Sequence, residues 1–162
     1  MPEIDRFSDA NARYASGFDK GDLPMLPGRH LAVVACMDAR LDPAKALGLA
    51  EGDAHVIRNA SGLAADAIRS LVISQQLLGT REIAIVHHTD CGMLTFTDEQ
   101  LRTKLHDELG VNTDTRFLPF SNLEQSVRDD IAAVKASPLL LKDVPVRGFI
   151  YDVHTGKLDE VR

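Results

Sequence analysis

Apolar residues are spaced in two different ways along the chain. In some segments they form short continuous runs, which is typical of strands buried on both faces of a sheet. In others they recur every three or four positions, which predicts helices with one buried side. The predicted strands are residues 30–36, 54–58, 83–86 and 146–153 and a short return strand containing Leu158 and Val161. The predicted helices are residues 3–18, 42–49 and 63–78 and the segments that follow Thr97 and Ser121.

Several of the predicted helices carry their own start and stop signals. Asp42 followed by Pro43 is typical of a helix start, and Gly79 is typical of a helix end. The segments Thr97–Gln100 and Ser121–Glu124 both have the pattern of a capping box. Strands that alternate with helices predict an α/β fold, with a central, mostly parallel sheet flanked by helices. Ligands of such sheets usually bind at the carboxyl ends of the strands.

Length and composition narrow the class of protein. The 162 residues suit one domain, and 44% apolar with 26% charged residues is ordinary for a soluble globular protein. A net charge of −6 without a cluster of basic residues argues against a nucleic-acid partner. No apolar run approaches the roughly 20 residues that span a bilayer, and no signal peptide is recognisable. We expect a cytoplasmic single domain over 1–162, with an N-terminal helical arm and loop over 1–28 and the core over 29–162.

Chemically reactive residues follow two of the predicted strands. Cys36, Asp38 and Arg40 come at the end of the first strand, and His88 and Cys91 come just after the third. A parallel sheet would bring both segments to one edge. Thiolate and imidazole are ligands that zinc prefers, so Cys36, His88 and Cys91 predict one zinc ion per chain. Three protein ligands with one open position is the arrangement of catalytic zinc, and the chain has no third cysteine to close it.

Asp38 and Arg40 fit the same prediction. Residues 36, 38 and 40 share one face of an extended segment, which would place Asp38 within reach of whatever Cys36 binds. Arg40 can keep the carboxylate ionised through a bidentate pair, and the carboxylate can then orient a zinc-bound water or hydroxide. Released from Arg40, the same carboxylate could bind the zinc as a conditional fourth ligand.

Other interpretations of these residues stay open at this point. A lone cysteine after an apolar strand is most often a small buried hydrophobe, and two cysteines can form a redox pair, although this pair lacks the close Cys-x-x-Cys spacing. His87 alternates to the face opposite His88, which favours a structural or pocket-lining role. Ser61 and Gly62 could offer backbone N–H groups to an anion or simply form a turn.

Three motifs of the chain occur together in one known family. They are Cys-Met-Asp-Ala-Arg at 36–40, His-Val-Ile-Arg-Asn-Ala at 55–60 and His-Thr-Asp-Cys-Gly at 88–92. In combination they resemble the short prokaryotic β-class carbonic anhydrases, from about His30 to the C-terminal strand pair. The resemblance implies zinc held by the three candidate ligands, with Asp38 and Arg40 as the catalytic dyad. Ser61, Gly62 and Gly92 are the expected pocket residues.

The resemblance also implies an architecture and an assembly. The expected sheet has four parallel strands and an antiparallel edge strand, and the expected assembly is a homodimer or a dimer of dimers. In the family an N-terminal helix lies across the partner subunit, which suits residues 3–18. Two departures matter: Ser61 stands where members often have glycine, and the chain has no tryptophan for a regulatory bicarbonate site.

The function that these residues favour is reversible hydration of carbon dioxide to bicarbonate and a proton, by attack of zinc-bound hydroxide. This would make the protein a carbonate dehydratase. The first alternative is hydrolysis of carbonyl sulfide or carbon disulfide at the same zinc, since both substrates are linear like carbon dioxide. The second is a non-catalytic zinc-storing module in which Asp38 is a permanent fourth ligand. A pH-dependent exchange of Asp38 between zinc and Arg40 is a further hypothesis.

Overall fold

A five-stranded sheet forms the centre of the computed structural model, which describes residues 2–162. The strands are β1 Leu31–Cys36, β2 Ala54–Asn59, β3 Glu82–His88, β4 Val146–Tyr151 and β5 Leu158–Val161. Their spatial order is β2-β1-β3-β4-β5. The first four strands are parallel, and β5 pairs with β4 in the antiparallel direction. The predicted α/β fold with four parallel strands and an antiparallel edge strand is therefore confirmed.

Helices and short helical turns connect the strands. The α-helices are α1 Phe7–Ser16, α2 Pro43–Ala46, α3 Ala64–Gln76, α4 Asp98–Leu109 and α5 Leu123–Ala136. Two 3₁₀ turns cover Glu3–Arg6 and Gly92–Leu94. Among residues 2–162, no helix has both the length and the apolar character that crossing a bilayer requires.

Strand β1 supplies the core on both sides of the sheet. Ala32 and Val34 point to one face, where α3 and α5 cover them with Leu71 and Val134. Val33 and Ala35 point to the other face, where residues of the connecting segments pack against them, including Leu41, Leu47, Met93 and Phe120. A strand that is buried on both faces has no polar side to mark its alternation, which explains the continuous apolar run.

Capping side chains determine where the helices around the sheet begin. Thr97 and Gln100 form the predicted capping box, with hydrogen bonds of 3.2 Å from Gln100 N to Thr97 Oγ1 and 2.8 Å from Thr97 N to Gln100 Oε1. The cap of α5 is one residue later than predicted. Asn122, not Ser121, accepts the hydrogen bond of Gln125 N, at 3.0 Å. An asparagine side chain satisfies this orphan N–H as well as a serine does, so composition alone cannot choose between the two.

The N-terminal arm is bound to the rest of the chain only weakly. Helix α1 has no buried residue. Its connection to the body of the protein includes hydrogen-bonded contacts of Tyr14 and Lys20 with Glu51. Ile4 and Phe7 are 67% and 65% exposed, and further large apolar side chains of the arm are exposed as well. Several large apolar side chains exposed on one segment are typical of a surface that another molecule buries.

The packing of α5 on β4 gives a test of this fold. Gly148 of β4 is buried beneath α5, and a Cβ there would collide with a methyl group of Val127 and lie 2.8 Å from Ile131 Cδ1. Gly148→Ala should therefore lower the free energy of unfolding by about 1–3 kcal/mol. Urea unfolding measures the change, and Gly17→Ala is the control because a Cβ there meets no atom within 4 Å. Equal midpoints for both variants would contradict this packing.

Candidate metal centre

The structure brings three side chains that could hold a metal ion together at the carboxyl ends of β1 and β3. The ligand atoms of Cys36, His88 and Cys91 all lie within 4.8 Å of one another. The three residues are 4%, 0% and 3% exposed. The cluster exists because β1 and β3 are parallel neighbours, with Ala35 opposite Val86, so that both strands end at the same edge. The predicted convergence of two distant segments is confirmed.

A tight turn returns Cys91 toward His88. Asp90 adopts a left-handed backbone conformation, with φ of 53°, directly before Cys91. The 3₁₀ turn Gly92–Leu94 then begins, with Leu94 N donating to Cys91 O at 3.0 Å. Asparagine and aspartate tolerate positive φ better than most residues do. The sequence Thr-Asp-Cys-Gly after His88 therefore forms a compact reversal that aims both ligands at one point.

The imidazole of His88 is arranged as a metal ligand is. Its Nδ1 lies 2.8 Å from the carbonyl oxygen of Thr89, which can only accept, so Nδ1 carries the proton. The lone pair is then on Nε2, which is buried and has no hydrogen-bond partner within the described part of the chain. Buried polar atoms almost always have partners, so this orphaned nitrogen beside two thiols fits a metal ion.

The hydrogen bond between the two thiols shifts their pKa values in opposite directions. The hydrogen bond with the Cys91 thiol lowers the pKa of Cys36 to about 4. The same bond raises the pKa of Cys91 above its ordinary value, because Cys91 keeps the proton that stabilises the neighbouring thiolate. A dication at this point would favour both thiolates and displace the remaining proton. The donor set of two sulfurs and one imidazole nitrogen is one that suits zinc.

Asp38 lies beside the cluster in a bidentate pair with Arg40. Arg40 Nε is 3.0 Å from Asp38 Oδ1, and Arg40 Nη2 is 2.8 Å from Oδ2. The backbone N–H of Arg40 also donates to Oδ1, at 2.8 Å. These hydrogen bonds hold the pKa of Asp38 well below its usual range. Asp38 Oδ2 stands 3.7 Å from His88 Nε2, so an ionised carboxylate borders the candidate metal position while Arg40 holds it.

Comparison with known proteins identifies the family. A family model described as carbonic anhydrase matches residues 31–115. The curated β-carbonic anhydrase 1 of Mycobacterium tuberculosis (strain ATCC 25618 / H37Rv) is 50% identical over 162 residues, which cover 99% of either chain. The chain belongs to the β-carbonic anhydrase family. The carbon disulfide hydrolase of Saccharolobus solfataricus is also similar, at 33% identity over 182 residues that cover 96% of this chain and 85% of the hydrolase.

Solved structures agree with this assignment of the β-carbonic anhydrase family. The crystal structure of carbonic anhydrase from Streptococcus mutans has a TM-score of 0.96 at 50% identity, covering 100% of this chain and 99% of that chain. Carbonic anhydrase from Glaciozyma antarctica has a TM-score of 0.87 at 47% identity, covering 96% and 95%. The resemblance inferred from the three motifs is therefore confirmed, and the similarity also extends to the residues before His30.

The expected pocket residues of this family member have different local roles. Gly62 donates its N–H to Asn59 O at 3.3 Å, so this group serves the turn. A Cβ on Gly62, whose φ is 81°, would lie 2.9 Å from backbone atoms of Ala35 and Cys36, so glycine allows the turn to pack on the end of β1. Ser61 is buried with φ of 68°, and Gly92 has open space around it. Their contact with substrate stays a prediction.

His87 has the structural role expected from its alternation. It is 1% exposed and lies on the opposite face of β3 from His88. Its Nδ1 is 2.8 Å from Ser126 Oγ, and its Nε2 is 2.9 Å from Asp130 Oδ2. The imidazole therefore ties β3 to α5 through two hydrogen bonds and has no free lone pair for a metal.

Arg58 is a site residue to which sequence reasoning gave no role. It lies on β2, next to the end of β1. Its Nε donates to Cys36 O at 2.9 Å, and its Nη2 donates to Asp38 O at 2.7 Å. One guanidinium thus fixes the backbone on both sides of Met37, which sets the separation between the first candidate ligand and the candidate dyad. The sequence signal that could have indicated this role is the position of Arg58 in the motif at 55–60.

Loss of Arg58 should loosen this segment. Arg58→Leu removes both hydrogen bonds to the carbonyls of Cys36 and Asp38, and we expect a loss of about 1–2 kcal/mol in the free energy of unfolding. Chemical denaturation measures the loss. The matched control is Arg69→Leu, which removes an exposed arginine from α3. If Arg58→Leu and Arg69→Leu unfold at the same denaturant concentration, Arg58 does not anchor the end of β1.

Proposed function

We propose that this protein binds one zinc ion through Cys36, His88 and Cys91 and catalyses the reversible hydration of carbon dioxide to bicarbonate and a proton. The observation that carries the proposal is the orphaned His88 Nε2 within 4.8 Å of two thiols, beside a carboxylate that Arg40 holds. The family assignment supports the same reaction, since the 50% identical relative is named a β-carbonic anhydrase. The corresponding enzyme class is carbonate dehydratase.

When bound, zinc would supply Lewis acidity that makes a water molecule a usable nucleophile near neutral pH. Two thiolates and one neutral imidazole cancel the charge of Zn²⁺, so this acidification is weaker than at a site of three histidines. Cys36, His88 and Cys91 would be three protein ligands, which is the number typical of catalytic zinc.

The residues of the chain would prepare the reaction by orientation and charge. Asp38 is ionised and faces the candidate metal position, so its free lone pairs can accept a hydrogen bond from the attacking oxygen and orient it. Arg40 keeps Asp38 ionised and away from the ligand set. Both side chains keep some solvent access, so solvent reaches this side of the site.

Hydrolysis of carbon disulfide or carbonyl sulfide is the second candidate function. It is favoured by the 33% identical relative named carbon disulfide hydrolase. The three candidate ligands cannot distinguish these substrates, because all of them are small and linear. The higher identity and fuller coverage of the β-carbonic anhydrase relative support carbon dioxide as the first candidate substrate. The non-catalytic zinc-storing alternative needs Asp38 on the metal, whereas Asp38 is paired with Arg40 here.

Self-association as a homodimer or a dimer of dimers is part of the proposal. The exposed apolar side chains of the N-terminal arm support it. Burial of Ile4, Phe7 and Tyr14 against a second copy would remove apolar surface from water, which is favourable. A cytoplasmic location also fits the proposal, because both candidate sulfur ligands must stay reduced.

Stopped-flow hydration of carbon dioxide tests the proposed function. Zinc-loaded protein should hydrate carbon dioxide, and Asp38→Asn should lower kcat by about a hundredfold, because an amide orients the attacking oxygen less well than a carboxylate.

Cys36→Ser should lower the zinc content after dialysis. Release of hydrogen sulfide from carbonyl sulfide and carbon disulfide is measured in parallel. Hydrolysis of these substrates without hydration of carbon dioxide would replace the first candidate function by the second.

A further inference from the structure

Arg40 is held by two carboxylates, and only one of them belongs to the candidate dyad. On one side Arg40 makes the bidentate pair with Asp38. On the other side Arg40 Nη1 donates to Asp90 Oδ2 at 2.7 Å, and Arg40 Nη2 donates to the carbonyl oxygen of Asp90 at 2.9 Å. All three nitrogens of the guanidinium are therefore engaged, which fixes both its position and its plane.

Asp90 makes this contact in an unfavourable backbone conformation. Its φ of 53° lies in the left-handed region, where residues other than glycine are uncommon. In this conformation its side chain and its own carbonyl oxygen both reach one guanidinium. Backbone strain of this kind persists at functional sites where the surrounding structure over-determines it. Asp90 also lies between His88 and Cys91, so it links the ligand turn directly to the dyad.

Fold stability does not explain the Asp90 contact. The side chains of Arg40 and Asp90 are 45% and 63% exposed. Ion pairs with this much solvent access contribute little to the free energy of unfolding. Their geometry can still matter, because Asp38 and Asp90 are the two side chains that bind Arg40 within the described residues. The hydrogen bonds to Asp90 are a second attachment, which stops the guanidinium from turning about the Asp38 carboxylate.

We propose that Asp90 is a positioning residue, which holds Arg40 so that Asp38 stays paired with arginine and off the metal position. This inference rests on the proposed function, in which Asp38 orients the attacking oxygen. Asp38 Oδ2 already stands 3.7 Å from His88 Nε2, so a small movement of the carboxylate would bring it into the ligand set. Without the Asp90 carboxylate, Asp38 is the one side chain among the described residues that still binds Arg40. Arg40 could then move together with Asp38 toward the metal position.

Two substitutions separate the carboxylate of Asp90 from its backbone conformation. Asp90→Gly removes the carboxylate and relieves the positive φ, so the turn itself should fold at least as well. Asp90→Asn tolerates the same φ and keeps one acceptor oxygen but loses the charge. The control is Asp129→Asn on α5, which changes an exposed carboxylate that accepts a hydrogen bond from Gln125 Nε2 at 2.8 Å, away from the site.

The first measurements are kcat for hydration of carbon dioxide and the midpoint of thermal unfolding. We expect Asp90→Gly to lower kcat up to about fivefold, with Asp90→Asn intermediate and Asp129→Asn unchanged. The unfolding midpoint of Asp90→Gly should stay equal or rise. A fall in the midpoint that parallels the fall in kcat would mean that Asp90 is a structural residue of the turn, which would overturn the proposal.

The second measurement reports on Asp38 without using activity. Cobalt(II) replaces zinc in each variant, and the visible absorption spectrum reports the ligands of the metal. The spectrum of Asp90→Gly should shift toward that of Arg40→Leu, in which Asp38 is released. The double variant Asp38→Asn with Asp90→Gly should lose this shift.

The spectra distinguish a failure of the positioning role of Asp90 from a failure of the proposed function. A spectrum of Asp90→Gly identical to that of the unmodified protein, or a shift that persists with Asp38→Asn, would overturn the positioning role. Zinc-loaded, unmodified protein that does not hydrate carbon dioxide would instead overturn the proposed function, and the cobalt spectra would still decide the position of Asp38.

Discussion

Parallel pairing of β1 with β3 is the constraint on which the candidate site depends. It places Cys36 at the same sheet edge as His88 and Cys91, although the two segments are far apart in the chain. A shift of one residue in either strand would turn its ligand to the opposite face of the sheet. The register is protected because β1 is buried on both sides, with Ala32 and Val34 in one core and Val33 in the other.

Charge balance connects the three candidate ligands to the candidate dyad of Asp38 and Arg40. The hydrogen bond between the two neighbouring thiols lowers the pKa of Cys36 and raises that of Cys91. The Asp38 carboxylate adds negative charge beside them, and the hydrogen bonds of Arg40 hold its pKa down. A dication and one guanidinium would neutralise this group of acids. In the proposed site Arg40 would keep Asp38 ionised and would also keep it from becoming a ligand.

Sequence reasoning recovered the parts of the site that depend on residue type and strand ends. Continuous apolar runs located the parallel strands, and the reactive residues just beyond them converge in the structure as expected. Contacts that depend on tertiary geometry were missed. The roles of Arg58 and Asp90 follow from where their side chains reach, and both were visible only as members of motifs. The cap at Asn122 instead of Ser121 was missed because both residue types cap helices equally well.

X-ray absorption at the zinc edge tests the proposed three-ligand zinc site most directly. The zinc-loaded protein should show two sulfur neighbours, at about 2.3 Å, and two lighter neighbours, of which one is the His88 imidazole. The same spectrum from Asp38→Asn would show that the remaining neighbour is not Asp38 and that the fourth position is open to solvent. A spectrum without two sulfur neighbours, or one in which Asp38→Asn removes a neighbour, would contradict the account.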